Sequence, residues 1–200
     1  MRYLILPIFF IVLAFNLSAQ NSYKKKIKTH RKNYKKEFLK NTAGPLDKKG
    51  VKKLAFYKAN PAFVIKGKFI PSVNAVPLEM ATSDGQFKQY ISHGAVHFQL
   101  NGQELVLNIY RSIRQSRIPG FRDYLFLPFK DLTNGEESYG GGHYIDLRLK
   151  DIQEDHITID FNLAYNPFCA YKESYSCPIP PFENHLQVAI YAGEKHYVNK

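Results

Sequence analysis

Residues 95–109 read AVHFQLNGQELVLNI, and this stretch decides the fold class. Val96, Phe98 and Leu100 alternate with Ala95, His97 and Gln99, and Leu105, Leu107 and Ile109 resume the alternation beyond Asn101-Gly102. A period of two puts the apolar set on one face of an extended chain. Asn-Gly between two such runs is the strongest short hairpin signal, because both residues tolerate positive φ. The stretch therefore predicts an antiparallel hairpin with one buried face.

On either side the same rhythm returns. Phe63, Ile65 and Phe69 lie in an apolar run, and further strands are predicted at Tyr124–Phe129, Tyr144–Leu149, Ile157–Phe161 and Leu186–Tyr191. Breakers separate them at Asp84-Gly85, Pro119-Gly120, Asn134-Gly135 and Pro178 to Pro181. Short strands at this spacing predict a mainly β fold, an antiparallel sandwich or flattened barrel. With no Trp but 14 Tyr and 15 Phe, its core and any pocket must be lined by Phe and Tyr.

The N-terminal third is different. Arg2, an apolar run from Leu4 to Phe15 and Ala19 read as a cleaved secretory leader over residues 1–19, with the mature chain starting near Gln20. Residues 21–60 then hold fourteen Lys and Arg against two acids, whereas residues 61–200 carry a net charge of −2. Such a body lacks the basic face of a nucleic-acid binder, so no nucleic acid is expected as a partner. Within residues 22–40, Tyr23, Ile27, Tyr34 and Phe38 fall near one face of a basic amphipathic helix. That helix could lie on an anionic membrane surface, or pack its thin stripe on the domain and leave its lysines solvated. The predicted organisation is a leader (1–19), a basic helical arm and linker (20–53) and one β domain (54–200). The expected location is the periplasm or the outside of the cell.

Polar residues that neither a strand core nor a solvated face requires concentrate between Asp131 and Asn184. The first group is Asp131, Thr133, Asn134, Glu137 and Tyr139, followed by Gly140 to Gly142 and His143. The glycine run lacks the Lys-Ser/Thr pair and following helix of a phosphate loop. It reads as a bulged turn before a strand, or as a polar binding loop. The second group is Asp160, Asn162, Tyr165 and Asn166, and the third is Glu183 and Asn184. A carboxylate and an amide at 160 and 162 share a strand face. They can bind sugar hydroxyls or a divalent cation, or tie down an irregular loop. Cys169 and Cys177 enclose seven residues, and in an oxidising compartment a bridge between them is expected. Metal binding would need more soft ligands, and His93 and His97 on one strand face would be ~13 Å apart, too far to share an ion. No metal or cofactor is expected, and no G-x-S-x-G elbow is present.

These motifs carry a resemblance. Asp131-x-Thr-x-Gly through Tyr139-Gly-Gly-Gly, Asp160-Phe-Asn with Ala164-Tyr-Asn-Pro, Cys177-Pro-x-Pro-Pro-x-Glu-Asn and Ala192-Gly-Glu together resemble a bacterial and archaeal family catalogued as domain of unknown function 1684. The likeness spans residues 44–195 and implies no activity. This chain departs from the family at His143, where members often have Arg, and at Phe168, where they often have Pro. From the residues themselves, the expected function is a periplasmic or surface binding domain for a small polar ligand, a sugar among the candidates. The alternative is a hydrolase using Asp131, Glu137, Asp160 or Glu183. The three polar groups are expected to meet at one end of the domain.

Overall fold

The computed structural model describes residues 6–40 and 44–198, with side chains from Gln20 onward. The leader expectation, residues 1–19, lies outside those described side chains. Two helices come first, α1 (Leu6–Lys40) and α2 (Lys48–Lys53). The strands follow as β1 (Val64–Pro71), β2 (Pro77–Ala81), β3 (Phe87–Leu100), β4 (Gln103–Ser112), β5 (Tyr124–Phe129), β6 (His143–Arg148), β7 (Ile152–Gln153) and β8 (His156–Asp160). They form one eight-stranded antiparallel sheet in the order β6-β5-β4-β3-β1-β8-β7, with β2 pairing with β3 off that path.

The hairpin forms where the sequence places it. Leu100 faces Gln103, and Asn101 and Gly102 take φ of 53° and 77°, the two positive values a tight I′-type turn needs. The alternating residues Val96, Phe98, Leu107, Ile109, Leu125, Leu127, Ile145, Ile157 and Ile159 all point into one core. A sheet whose strands, β2 apart, all face the same core must curl. It does so without closing: β6 and β8 line a common cavity of about 770 Å³ yet do not pair. A bulge between Ser92 and Gly94 helps β3 bend. Only glycine fits there, since a Cβ on Gly94 would lie 2.5 Å from Ile70 O.

Leu186–Tyr191 is a correction. Leu186, Val188 and Ile190 are buried in alternation, but the segment joins no ladder. It bends at Gln187 and Val188 beside residues 130–132, with Leu186 N–H donating to Lys130 O and Leu132 N–H to Val188 O. Alternation reported burial here, and pairing did not follow. The segment plugs the core between the sheet and the loops.

The basic helix packs on the domain. Ile27 is fully buried and Phe38 nearly so, and Tyr34 meets Phe38 and Phe56 edge-on. The Arg31 guanidinium lies 4.7 Å from the centre of the Phe56 ring and donates to Tyr57 O. Lys24, Lys25, Lys28, Lys32 and Lys36 stay exposed. The apolar stripe is thus spent on packing, leaving a solvated cationic face. Among the described residues no helix is long and apolar enough to cross a membrane.

Candidate functional site

The first and second polar groups converge on Glu194, the third touches the first where Lys130 N–H donates to Asn184 O, and most of their side chains bond to main chain. Asp131 Oδ1 accepts from the N–H groups of Thr133 and Ile190, at 2.8 and 3.1 Å. Its Oδ2 lies 3.8 Å from Nδ1 of His143, both buried. The other ring nitrogen of His143 is 2.9 Å from Glu194 O, a carbonyl that can only accept. Thr133 and Ser138 hydroxyls meet at 2.7 Å. The Asn134 amide donates to Ser138 Oγ and Tyr139 O while accepting from Asp131 N–H. Glu137 is exposed at the tip, 3.5 Å from Lys195 Nζ. Gly142, at φ 89°, brings this turn against Phe129, where a Cβ would fall 2.6 Å from the carbonyl oxygen.

The second group is tied in the same way. Asp160 Oδ1 accepts from Tyr23 OH of α1 at 2.8 Å and from both nitrogens of Asn162. The Asn162 amide in turn clasps the backbone N–H and C=O of Asn60. Asn166 donates its N–H to Glu194 Oε2 and its amide to Lys195 O. Glu194 is wholly buried and also accepts from Tyr171 OH at 2.8 Å and Tyr34 OH at 3.2 Å. Burial pushes its carboxyl up to about 7, against the pull of those donors.

Cys169 and Cys177 are free thiols, which corrects the expected bridge. The sulfur of Cys177 instead accepts the Cys169 N–H at 3.0 Å. Tyr139 OH reaches the sulfur of Cys169 at 3.6 Å, linking the first group to the turn that follows the second. The Pro-rich loop is held by polar contacts in place of a bridge: Ser83 donates to Tyr175 O and accepts from Cys177 N–H, and Lys88 donates to Ser176 O. The Cys177 thiol, donating to Cys169, holds the Cys169 thiol down at about 6 and pushes its own up. In the third group Asn184 is buried between β4 and β5, and the exposed Glu183 accepts from Tyr110 OH at 2.9 Å. Among the described residues, no three His, Cys, Asp or Glu side chains gather closely enough to hold a metal ion.

The concave surface lies beside these ties, on the outer face of the sheet. Residues out of phase with the core, Tyr90, Tyr124, Phe126 and Tyr144, form an aromatic floor joined by Tyr165. Tyr90 and Phe126 stack at 5.5 Å, and Phe126 and Tyr144 meet edge-on at 4.7 Å. Over this floor opens a cleft of about 700 Å³. Tyr124 and Tyr165 both donate to Asp146 Oδ1, at 2.7 and 2.6 Å, and Tyr144 donates to Pro178 O, which fixes the Pro-rich loop as one wall. The Tyr90 hydroxyl has no hydrogen-bond partner among the described residues, and burial pushes its pKa up to about 12.

The family described as "Protein of unknown function (DUF1684)" matches residues 49–195. The chain belongs to that family. Among solved structures, it is similar to the solution NMR structure of the uncharacterized protein from gene locus rrnAC0354 of Haloarcula marismortui. The two are 30% identical, the match covers 89% of this chain and 96% of that one, and the TM-score is 0.67. No curated protein matches.

Within DUF1684, the motif residues of this chain bond chiefly to main chain. Of the twelve residues proposed for a site, Tyr165 alone lines the tyrosine cleft, while Asp160 lines the cavity between β6 and β8. Sequence reasoning passed over Tyr90, Tyr124, Tyr144 and Asp146, and it met Glu194 only inside the Ala192-Gly-Glu motif. A usable signal existed: tyrosines on the solvent-facing phase of three separate strands, where an isolated strand would carry charged or small polar residues.

Proposed function

We propose that this protein is an exported binding domain that takes a small polar ligand in the tyrosine-lined cleft. The observation carrying this reading is the cleft itself: a concave aromatic floor where the Tyr90 hydroxyl stays open to solvent and has no protein partner among the described residues. Tyrosine faces stack on the apolar side of a ring, and a free hydroxyl selects a polar substituent. The four acids considered for hydrolysis favour binding by their engagement. Asp131, Asp160 and Glu183 accept bonds from Thr133, Asn162 and Tyr110, Glu137 sits beside Lys195, and none of the four lines this cleft.

Thermal-shift screening of the chain from Gln20 against sugars, nucleotides and organic acids tests the reading. A ligand at 100 times its Kd should add about 2.7 kcal/mol. Gln115→Trp, which fills the cleft from its half-buried rim, should abolish that shift. A silent panel, or a shift that survives this substitution, would count against the cleft.

Export rests on the leader pattern, and the contacts that seat α1 at Tyr23, Ile27 and Arg31 lie beyond its expected cleavage point. Expressed with its own leader, the protein should be found outside the cytoplasm with an N-terminus at or near Gln20. Recovery of an intact Met1 by mass spectrometry would sink this part.

A further inference from the structure

We infer that the ligand of the tyrosine cleft is an organic anion, a carboxylate or phosphate carried on a ring with an apolar face. The inference rests on the binding reading above and adds the ligand's charge. Three cations line the cleft, Lys88, Arg114 and Arg117, and no Asp or Glu does. This imbalance is local, since residues 61–200 together carry a net charge of −2. A cleft lined by one sign of charge over low-dielectric walls focuses its field on the opposite charge.

The two arginines are also free to act. Both are exposed, and neither side chain makes a hydrogen bond or ion pair among the described residues. Arg114 caps the 3-10 turn Gln115–Arg117 between β4 and β5, and Arg117 ends it. Residues three apart on a 3-10 turn eclipse, so the pair projects from one side of it. Two guanidinium forks side by side match the oxygens of a carboxylate or phosphate. The Lys88 ammonium, on the facing strand, donates only to a backbone carbonyl, Ser176 O, and keeps donors to spare.

The apolar half of the ligand is drawn from the rest of the surface. Phe87 and Ile118, 63% and 46% exposed, stand at the rim, and the Tyr90–Phe126 stack forms the floor. Exposed apolar side chains gathered at the mouth of a cleft mark a surface that a partner covers. A ring lying on the floor would place an attached acid toward the arginine turn.

Calorimetric titration of the chain from Gln20 with two matched pairs tests this: 2-naphthoate against 2-naphthamide, and glucuronate against glucose. In whichever pair binds, the anion should bind at least 10-fold more tightly than its neutral partner, with a preference that shrinks as salt rises. The pair that responds tells an aromatic acid from a sugar acid. Arg114→Gln combined with Arg117→Gln alters exposed side chains alone. It should leave the melting temperature in place and erase the preference. Equal binding of both members of a pair, blocked by Gln115→Trp, would overturn the anion inference and keep the binding cleft. An anion preference that survives the double arginine variant would overturn the site. Binding by none of the four probes would overturn both readings.

Discussion

Replacing Asn184 by Ala should cost about 3 kcal/mol of stability, and Asn184→Asp should cost more. The ladder between β4 and β5 has a single rung, Tyr110–Phe126. Where the strands part, the buried amide of Asn184 fills in. Its Oδ1 accepts from Asn108 N–H at 2.8 Å, and its Nδ2 donates to Asn108 O at 2.9 Å and Pro128 O at 2.6 Å. Ala would strand three main-chain groups, one buried at Pro128 and two partly buried at Asn108, where a fully buried one costs about 1–3 kcal/mol when left unpaired. Asp would still accept from Asn108 but would turn a carboxylate oxygen toward two carbonyls with no donor between them. Urea denaturation of the three proteins measures the order. An Asn184→Asp variant as stable as the parent would mean that the site does not need the amide's donors.

The second large effect depends on pH. Glu194 has its carboxyl raised from 4.5 to about 7 by burial. A carboxyl with a folded pKa above its unfolded one binds more protons in the folded state between those two values. Its stabilising contribution is therefore complete below about pH 4.5 and is lost as pH rises through 7. At about 1.4 kcal/mol per unit, the loss approaches 3 kcal/mol by pH 8. Glu194→Gln should remove that slope, because a neutral amide can still accept from Asn166 N–H and can donate to a tyrosine hydroxyl. Denaturation at pH 5 and pH 8 checks this: the variant should match the parent at pH 5 and exceed it at pH 8. A difference between variant and parent that is the same at pH 5 and pH 8 would contradict the raised Glu194 carboxyl.

Much of this architecture could be read from residues. The Asn101-Gly102 hairpin, β5, β6 and β8 lie within one residue of where alternation puts them, because each buries one face and solvates or shields the other. β2 was invisible. Its five residues bury only Met80, so it has no period to read. Leu186–Tyr191 shows the converse, a buried period without a ladder. At the candidate site, composition identified residues that a plain core does not need, such as Asp131, Asn162 and Asn184. It could not say whether their partners are ligand atoms or backbone, since both demand the same buried polar side chains. Cys169 and Cys177 make the same point: their spacing permits a bridge, and only the position of the sulfurs shows that none has formed.

The seat of α1 has a consequence for how the molecule is made. Tyr23 and Tyr34, near the start of the chain, bond to Asp160 and Glu194, 137 and 160 residues further on. A lysine-rich helix gains little from its own hydrogen bonds in water, so it has nothing to rest against until those late residues exist. At about 5–20 residues per second, translation leaves the first segment waiting roughly seven to thirty seconds for its partner. The seat of α1 is completed by residues made late, and until then its stripe has nothing to pack on.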